Sequence, residues 1–314
     1  MTKILILQGG FNEEHEVSLN SSKEVAKVLR KLKINYKTLT VNPITFENDI
    51  LKYPNDFICF NALHGTFGED GKIQKILKRN KFKVTHSNHN SSSNCFNKIK
   101  SKEIISKHNI LTPKYEVIKI KDIDENYLHY VKNQNGKFIL KPACSGSSNG
   151  LVIIKTNKDL LLFFKTLDKF KSSFRKNEKF LIEEYISGKE LTVSIVKNET
   201  NYKPLEVTEI VSLNKIYDYQ AKYTKGFSKH FIPARITRKN HKICLDLSLK
   251  IHKIFKCNTL SRVDFILSKK ENKIYFLEIN SQPGMTKMSL LPEQATFKKI
   301  KFESIVEELI NNSI

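Results

Sequence analysis

The chain has few cysteines and few arginines for its length of 314 residues. Its five cysteines are scattered and include no Cys-x-x-Cys pair, which indicates a reduced protein rather than one held together by disulfides. No apolar run is long enough to span a bilayer, and residues 1–7 lead directly into a predicted strand without the features of a signal peptide. We therefore expect a cytoplasmic protein with no membrane partner.

Acidic residues are also scarce relative to basic ones, with 32 Asp and Glu against 54 Lys and Arg and a formal net charge of +22. Such an excess is typical of nucleic-acid-binding proteins. Only six of the 54 basic residues are arginine, however, and the lysines are spread along the chain rather than clustered with aromatic residues. We interpret the charge as a compositional bias and expect no nucleic-acid partner. A basic nucleic-acid module remains the alternative, and a steep dependence of binding on salt would reveal it.

Two glycine motifs of nucleotide-binding proteins are absent. No Gly-Lys-Ser/Thr opens a helix, so the chain has no Walker A loop. The motif Gly-x-Gly-x-x-Gly is absent at Gly9-Gly10, and its absence disfavours a dinucleotide-dependent dehydrogenase. A loop of small residues, 142–150, nevertheless lies between two predicted strands, with Lys141 at the end of the first. Backbone N–H groups in such a loop approach phosphate oxygens closely, and the lysine supplies countercharge. A plain turn between two strands is the alternative interpretation.

The length and the 39% hydrophobic content are sufficient for two or three domains with packed cores. Apolar segments with strand periodicity alternate with segments of helical periodicity, which predicts an α/β fold. The Ser- and Asn-rich stretch 87–97 is the clearest candidate for a domain junction. The expected strands are 3–7, 36–41, 57–60, 137–141, 151–155 and 180–184, and the expected helices are about 18–32, 160–170 and 240–255.

Near the C-terminal end, strands 263–267 and 274–279 are predicted to form a hairpin around the charged turn 269–272. Because side chains alternate along a strand, Arg262 and Asp264 share one face, as do Glu278 and Asn280. Asp264 lies opposite Glu278 only if the turn holds an odd number of residues or the hairpin carries a bulge. The sequence therefore predicts the face of these side chains and leaves the register open.

Two carboxylates that face each other among apolar neighbours repel unless a cation lies between them. A carboxylate pair with an amide oxygen suits Mg²⁺, which completes its coordination with water and substrate phosphates. The sequence thus favours a divalent metal site at Asp264, Glu278 and Asn280. A solvated hairpin, in which these acids pair with some of the many lysines, is the alternative.

Taken in order along the chain, the motifs resemble those of the ATP-grasp superfamily and, within it, of the D-alanine:D-alanine ligase family. The resemblance spans nearly the whole chain. It is carried by Gly9-Gly10 with residues 13–21, by 62–65 with 68–71, by Asn97-Lys98, by Lys141-Pro142 with 146–148, and by 181–185, 217–223, 262–264 and 278–290.

The resemblance implies a three-domain ATP-grasp architecture with an N-terminal Rossmann-like α/β domain, divided here at 1–97, 98–187 and 188–314. It also implies a homodimer that makes a peptidoglycan precursor. The carboxylate of one D-alanine would attack the γ-phosphate of ATP to give an acyl phosphate and ADP. The amine of a second D-alanine would then displace phosphate. Another ATP-grasp ligase, acting on a different amino or hydroxy acid, is the alternative.

The resemblance also assigns roles to the nucleotide and metal residues. Asp264, Glu278 and Asn280 would hold two Mg²⁺ ions, for which Mn²⁺ can substitute. Lys222 belongs to a segment, about 213–231, that would close over the phosphates and exclude water. The residues implied to bind ATP are Lys98, Lys141, Glu183, Glu184, Tyr185, Ile186, Glu190 and Lys222.

For the amino acids, the resemblance implies that Glu16 pairs with the ammonium group of the first D-alanine, in a hydrogen-bonded set with Ser147 and Tyr223. A tyrosine at 223 favours the dipeptide, because the related D-alanine:D-lactate ligases typically have phenylalanine there. Arg262 and the backbone N–H of Gly284 would stabilise the oxyanion of the tetrahedral intermediate. Ser289, together with Lys222, would bind the carboxylate of the second D-alanine.

Four positions differ from the family pattern, and one histidine has an alternative role. His64 would face the same site, although a lone histidine there more often has a structural role. Ser145 and Asn149 differ from the residues common in the phosphate loop. Lys287-Met288 precede Ser289 where small or polar residues are usual, and we expect any difference to affect the pocket for the second substrate.

Overall fold

The computed structural model describes residues 2–212, 228–286 and 288–314, so that Lys222, Tyr223 and Lys287 lie outside the described residues. The first sheet is parallel, in the order β2-β1-β3-β4. The central strand β1 buries Ile4 to Leu7 completely, because helices cover both faces of such a sheet. Its strands are β1 (Lys3–Gly9), β2 (Asn35–Val41), β3 (Phe57–Asn61) and β4 (Lys83–Val84), and the helices between them are α1 (His15–Lys31), α2 (Phe46–Ile50) and α3 (Lys72–Arg79). This alternation confirms the predicted α/β organisation.

The second sheet is antiparallel, in the order β5-β8-β6-β7. One long helix was expected at 160–170, but two short helices are found. The backbone leaves helical geometry at Thr166 (φ −120°), and the hydroxyl of Thr166 donates to the Phe163 carbonyl. The strands are β5 (Tyr115–Lys119), β6 (Phe138–Pro142), β7 (Val152–Ile154) and β8 (Lys179–Glu184), and the helices are α6 (Glu125–Asn135), α7 (Asn157–Phe164) and α8 (Leu167–Ser172).

The third sheet is antiparallel, in the order β11-β10-β9-β12-β13. Its last two strands are the predicted hairpin, each slightly longer than expected. Helix α9 (Arg238–Ile254) packs on one face and shares an apolar core with the sheet. The strands are β9 (Gly188–Asn198), β10 (Asn201–Ser212), β11 (Ser228–Phe231), β12 (Leu260–Ser268) and β13 (Ile274–Asn280).

Most of the Ser- and Asn-rich stretch 87–97 is helical, and its position at a domain junction stays a prediction. Helix α4 (His89–Phe96) begins where the Asn88 side chain accepts from the Ser91 N–H, and helix α5 (Lys98–Lys107) is capped by Asn97 in the same way. The asparagines are therefore helix caps. Ser91, Ser92 and Cys95 are the buried residues of α4, and Cys95 belongs to the apolar cluster of the third sheet.

The C-terminal end of the chain returns to the first sheet. Helices α10 (Leu290–Phe297) and α11 (Phe302–Asn311) contribute to one apolar cluster with β1 and α1. Beyond α11, the backbone of Ile314 exchanges two hydrogen bonds with Val84 of β4. Each sheet lies within one of the ranges 1–97, 98–187 and 188–314, and the division into three domains remains our proposal. Within the described ranges, no helix is long and apolar enough to cross a bilayer.

Candidate active site

A cavity of about 290 Å³ lies where the three sheets meet. It brings together almost all the described residues that the sequence assigned to a site, although they are spread along the chain from Lys98 to Ser289. The predicted residues that line it are Lys98, Lys141, Ser147, Glu183, Glu184, Tyr185, Ile186, Glu190, Arg262, Asp264, Glu278, Asn280, Gly284 and Ser289. Glu16 does not line it.

The carboxylates of the predicted metal site face each other across β12 and β13. Asp264 is paired with Glu278, whereas the next pair is Phe265 with Phe276, so the register shifts by one residue at this point. Leu277 is the extra residue on β13. This bulge is one of the two conditions under which the sequence allowed Asp264 to oppose Glu278.

Cationic side chains pair with both carboxylates. Arg262 donates from Nε and Nη2 to the two oxygens of Asp264, at 2.9 and 2.8 Å, and the Thr192 hydroxyl adds a bond of 2.6 Å. The Nζ of Lys98 lies 3.5 Å from Glu278 Oε2. These cations offset the repulsion that two partly buried carboxylates would otherwise experience.

The donor set fits Mg²⁺. Two carboxylates and the Asn280 amide oxygen, which accepts from the Gln282 N–H at 2.7 Å and has a second lone pair, are all hard oxygen ligands. Among the described residues, no group of three or more His, Cys, Asp and Glu side chains is placed to hold a metal. The protein therefore offers only part of an octahedral shell, as is usual where nucleotide phosphates and water supply the rest.

A buried ionic cluster around Glu183 also borders the cavity. Glu183 lies 2.9 Å from Lys141 Nζ and 3.1 Å from Lys102 Nζ, and both Glu183 and Lys102 are almost completely buried. Burial raises the pKa of Glu183, but the two ammonium groups more than offset this effect and hold the pKa below its usual value. Glu183 is thus an ionised carboxylate, which accepts hydrogen bonds and donates none.

The small-residue loop after β6 has a backbone suited to anions. Ser147 and Ser148 are both left-handed, with φ of 47° and 59°, and successive N–H groups in such turns form a concave site for phosphate oxygens. Lys98 Nζ donates to the carbonyl of Ser145 at 2.7 Å, and Asn149 donates to Glu13 at 2.9 Å. Asn149 therefore connects the loop to the turn before α1, whereas Ser145 connects it to helix α5.

The carboxylate next to this loop is Glu14, not Glu16, and the expectation for Glu16 is corrected accordingly. Glu14 is buried and accepts a 2.5 Å hydrogen bond from the Ser147 hydroxyl. A Cβ at either Gly65 or Gly146 would collide with its second oxygen. Glu16 is exposed in the first turn of α1.

Local backbone geometry explains why the two glutamates differ. The Asn12 side chain accepts from the Glu14 N–H at 3.0 Å and donates to the His64 carbonyl at 2.8 Å, which fixes the turn before α1. Glu14 precedes the helix and points into the cavity, whereas Glu16 follows the helical rotation toward solvent. Asn12 was the sequence signal for this turn, because asparagine bonds its own backbone two residues on.

His64 lies on the cavity wall and is buried, with two polar partners. Its Nε2 is 2.9 Å from the Ser21 hydroxyl and its Nδ1 is 3.3 Å from Glu69 Oε1. Burial raises the pKa of Glu69, and the nearby Glu14 carboxylate raises it further, whereas the bond to His64 lowers it. Glu69 also lines the cavity, although no sequence motif predicted a role for it.

Ser289 is held at the start of α10. Its hydroxyl lies 2.9 Å from the Thr286 hydroxyl and accepts from the Thr286 N–H at 3.2 Å. A Cβ at Gly284 would lie 2.6 Å from this hydroxyl, so the site requires glycine there. The N–H of Gly284 and the hydroxyl of Ser289 therefore occupy one corner of the cavity.

Comparisons with known proteins agree on one family. The family model for the D-ala D-ala ligase C-terminus matches residues 104–311. A D-alanine–D-alanine ligase of Wolbachia pipientis is 39% identical, over 99% of this chain and 94% of its own length. A D-alanine–D-alanine ligase of Pelagibacter ubique is 40% identical, over 99% of this chain and 98% of its own length. A solved D-alanine–D-alanine ligase of Bacillus anthracis complexed with ATP is similar in structure, with a TM-score of 0.78, 27% identity, and coverage of 99% of this chain and 96% of that one.

Proposed function

The chain belongs to the D-alanine–D-alanine ligase family, and we propose that its cavity joins two D-alanine molecules to D-alanyl-D-alanine, with conversion of ATP to ADP through an acyl phosphate. The main structural support for this proposal is the set of residues that the cavity brings together. The opposed Asp264 and Glu278 carboxylates share a single cavity with the nucleotide-binding lysines and with the buried Glu14–Ser147 pair. Phosphoryl transfer needs such positioning and charge neutralisation more than covalent help from the protein.

The nucleotide occupies the part of the cavity between the second and third sheets. Glu183 accepts from the adenine amino group, and the segment 184–186 continues along the base. Glu190, on β9 beside the cavity, binds the ribose hydroxyls. Lys98, which contacts the 145–149 loop, directs its ammonium group toward the phosphates together with the backbone N–H groups of that loop. Lys141, which pairs with Glu183, lies at the adenine end of the nucleotide.

Asp264, Glu278 and Asn280 would hold Mg²⁺, or Mn²⁺ in its place. The ion supplies neutralisation of the negative charge that develops on the β- and γ-phosphates. The contribution of the protein is rigidity, since the Thr192 hydroxyl and the fork of Arg262 already fix the orientation of Asp264. Lys98 does the same for Glu278.

The first D-alanine is bound through its ammonium group by Glu14, which replaces Glu16 in this role. Ser147 holds the Glu14 carboxylate in place, and Tyr223, outside the described residues, would complete the set. The second D-alanine presents its carboxylate to Ser289 and to Lys222, which also lies outside the described residues. Its amine then attacks the carbonyl carbon of the acyl phosphate, and Arg262 with the N–H of Gly284 stabilises the oxyanion. The tetrahedral intermediate collapses with loss of inorganic phosphate and of a proton from the amine, which leaves the peptide bond.

An ADP-release assay with a panel of acids tests the proposed function. We expect ADP formation to require both D-alanine and Mg²⁺, and D-alanyl-D-alanine to accumulate in equal amount. The panel includes L-alanine, D-serine and D-lactate in place of D-alanine. Equal or faster ADP release with one of these acids would assign the chain to a ligase of different specificity, and no release with any of them would refute ligase activity.

The last part of the proposal concerns the location and the oligomeric state of the protein. We propose a cytoplasmic homodimer, since ATP is its co-substrate and the family resemblance implies two copies. Light scattering coupled to gel filtration measures the mass directly, against 36.4 kDa for one chain. A protein that stays at that mass at micromolar concentration contradicts the dimer.

A further inference from the structure

A completely buried lysine, Lys102, lies beside the nucleotide end of the cavity and has no part in the mechanism above. It is on helix α5, one turn after Lys98, so both side chains leave the same face of the helix. Lys98 reaches the phosphate loop and Glu278, whereas Lys102 reaches Glu183. Burial of an ammonium group costs free energy unless the group is paired with an opposite charge and hydrogen-bonded.

The ammonium group of Lys102 is held from three sides. It lies 3.1 Å from Glu183 Oε1, donates to the Thr112 hydroxyl at 2.6 Å, and stands 5.4 Å from the centre of the Tyr115 ring. The Thr112 hydroxyl in turn donates to the carbonyl of Phe276 on β13, at 3.0 Å. This chain of contacts connects Glu183 on the second sheet with the strand that carries Glu278.

The two lysines that pair with Glu183, Lys102 and Lys141, differ in whether they line the cavity. Lys141 lines the cavity and is assigned to the nucleotide, whereas Lys102 is fully enclosed and does not line it. Burial lowers the pKa of Lys102 to about 8, against the opposing effect of Glu183. Lys102 therefore serves Glu183 rather than a ligand.

We propose that Lys102 is a positioning residue that holds Glu183 as an oriented, charged acceptor and thereby sets the preference of the site for adenine over guanine. The inference rests on the proposed function in one respect, that Glu183 faces the nucleobase. Adenine has an amino donor at C6, whereas guanine has a carbonyl oxygen there. A carboxylate fixed in its ionised form attracts the first and repels the second, while a protonated or rotated carboxyl group discriminates much less.

The test is Lys102→Met, with Lys107→Met as the control, because Lys107 is an exposed lysine in the last turn of the same helix. The dissociation constants of ADP and GDP are measured by calorimetry in the presence of Mg²⁺. We expect ADP binding to weaken about tenfold and GDP binding to change less than twofold, since one charge-assisted contact is lost indirectly. Lys107→Met should leave both constants unchanged.

Steady-state kinetics provide a second measure. In Lys102→Met the KM for ATP should rise about tenfold, with kcat and the KM for D-alanine within about twofold of the parent. An equal loss of ADP and GDP binding, or a fall in kcat without a change in KM, would show a merely structural role and overturn the proposal. The binding measurements need no turnover, so they remain decisive even if the parent protein fails the ADP-release assay.

A second variant covers the case in which Lys102→Met does not fold. Thr112→Val keeps the lysine and a side chain of similar shape but removes the hydroxyl that orients the ammonium group. We expect ADP binding to weaken about threefold, with little change for GDP. Equal weakening for both nucleotides, or none for either, would contradict the positioning role.

Discussion

The Asp264 carboxylate lies directly opposite Glu278 because the register of β12 and β13 shifts by one residue immediately after Asp264. Without that shift, the partner of Asp264 would be Leu277, and one carboxylate would point to the other face of the sheet. The bulge therefore creates the acidic pair. Bulges that redirect a side chain in this way are frequent beside active sites.

The variant Glu278→Gln tests whether Glu278 and Asp264 bind the same divalent cation. The amide has the same shape but no charge, so it binds a divalent cation poorly. We expect ligase activity to fall at least 100-fold, with the free energy of unfolding changed by less than about 1 kcal/mol, because the side chain is only partly buried. Activity is followed by ADP release over a range of Mg²⁺ concentrations.

The control for this variant is Glu271→Gln, an exposed glutamate in the turn of the same hairpin. Its activity should match that of the parent. Near-normal rates for Glu278→Gln at low Mg²⁺ would contradict the role of Glu278 as a metal ligand.

The assignment of Glu14, in place of Glu16, to the ammonium group of the first D-alanine is tested by a matched pair of variants, Glu14→Gln and Glu16→Gln. The glutamine at 14 can still accept from Ser147 but no longer pairs with an ammonium group, so kcat/KM for D-alanine should fall about 100-fold. Glu16→Gln should remain within twofold of the parent, since Glu16 is exposed. The measurement is initial velocity at limiting D-alanine and saturating ATP. A larger effect at position 16 than at position 14 would restore the original assignment.

The sequence alone predicted the hairpin of β12 and β13 and the shared face of its polar side chains, because both depend on local alternation. Which face Asp264 and Glu278 occupy follows from the two-residue period of a strand, and their opposition required only a bulge or an odd turn. The sequence assigned Glu16 and not Glu14 because the direction of each side chain depends on where α1 begins. That start is set by the Asn12 turn, a local signal that the strand and helix periodicities do not include.

Other features depend on contacts between residues far apart in the sequence. The stretch 87–97 is rich in Ser and Asn, yet residues 89–96 form a helix whose Cys95 is buried in the apolar cluster of the third sheet. The pairing of Ile314 with Val84 joins residues separated by 230 positions. Lys102 is one lysine among many in the sequence, and only its burial against Glu183 distinguishes it.

Tyr223→Phe tests the preference for an amine as the second substrate, and it rests on the family resemblance, since residue 223 lies outside the described residues. The phenylalanine variant should accept D-lactate better relative to D-alanine, because the related D-lactate ligases typically have phenylalanine at this position. Products are quantified by mass spectrometry with both acids present, at several pH values. An unchanged product ratio at every pH would count against a role for Tyr223 in this choice.

His252 makes the stability of the protein depend on pH. Burial lowers the pKa of His252 to about 4, since the ring is enclosed, with Tyr202 against it and Ser261 bonded to Nδ1 at 2.8 Å. In the unfolded chain a histidine has a pKa near 6.5, so below that pH the unfolded state binds a proton that the folded state refuses. The stabilisation is therefore complete above about pH 6.5 and is lost as the pH falls toward 4. Between pH 7 and pH 5 this single group should cost about 2 kcal/mol of unfolding free energy.

His252→Asn removes the titrating ring but retains a polar atom near the position of Nδ1. Urea denaturation at pH 7 and pH 5 should show a smaller loss of stability in the variant than in the parent, by about 2 kcal/mol, even if the variant is less stable at pH 7. The difference between the two pH values, rather than the absolute stability, carries the prediction, because the cavity left by the smaller side chain is the same at both. Parallel losses in parent and variant would mean that His252 is protonated in the folded protein at pH 5 as readily as in the unfolded chain.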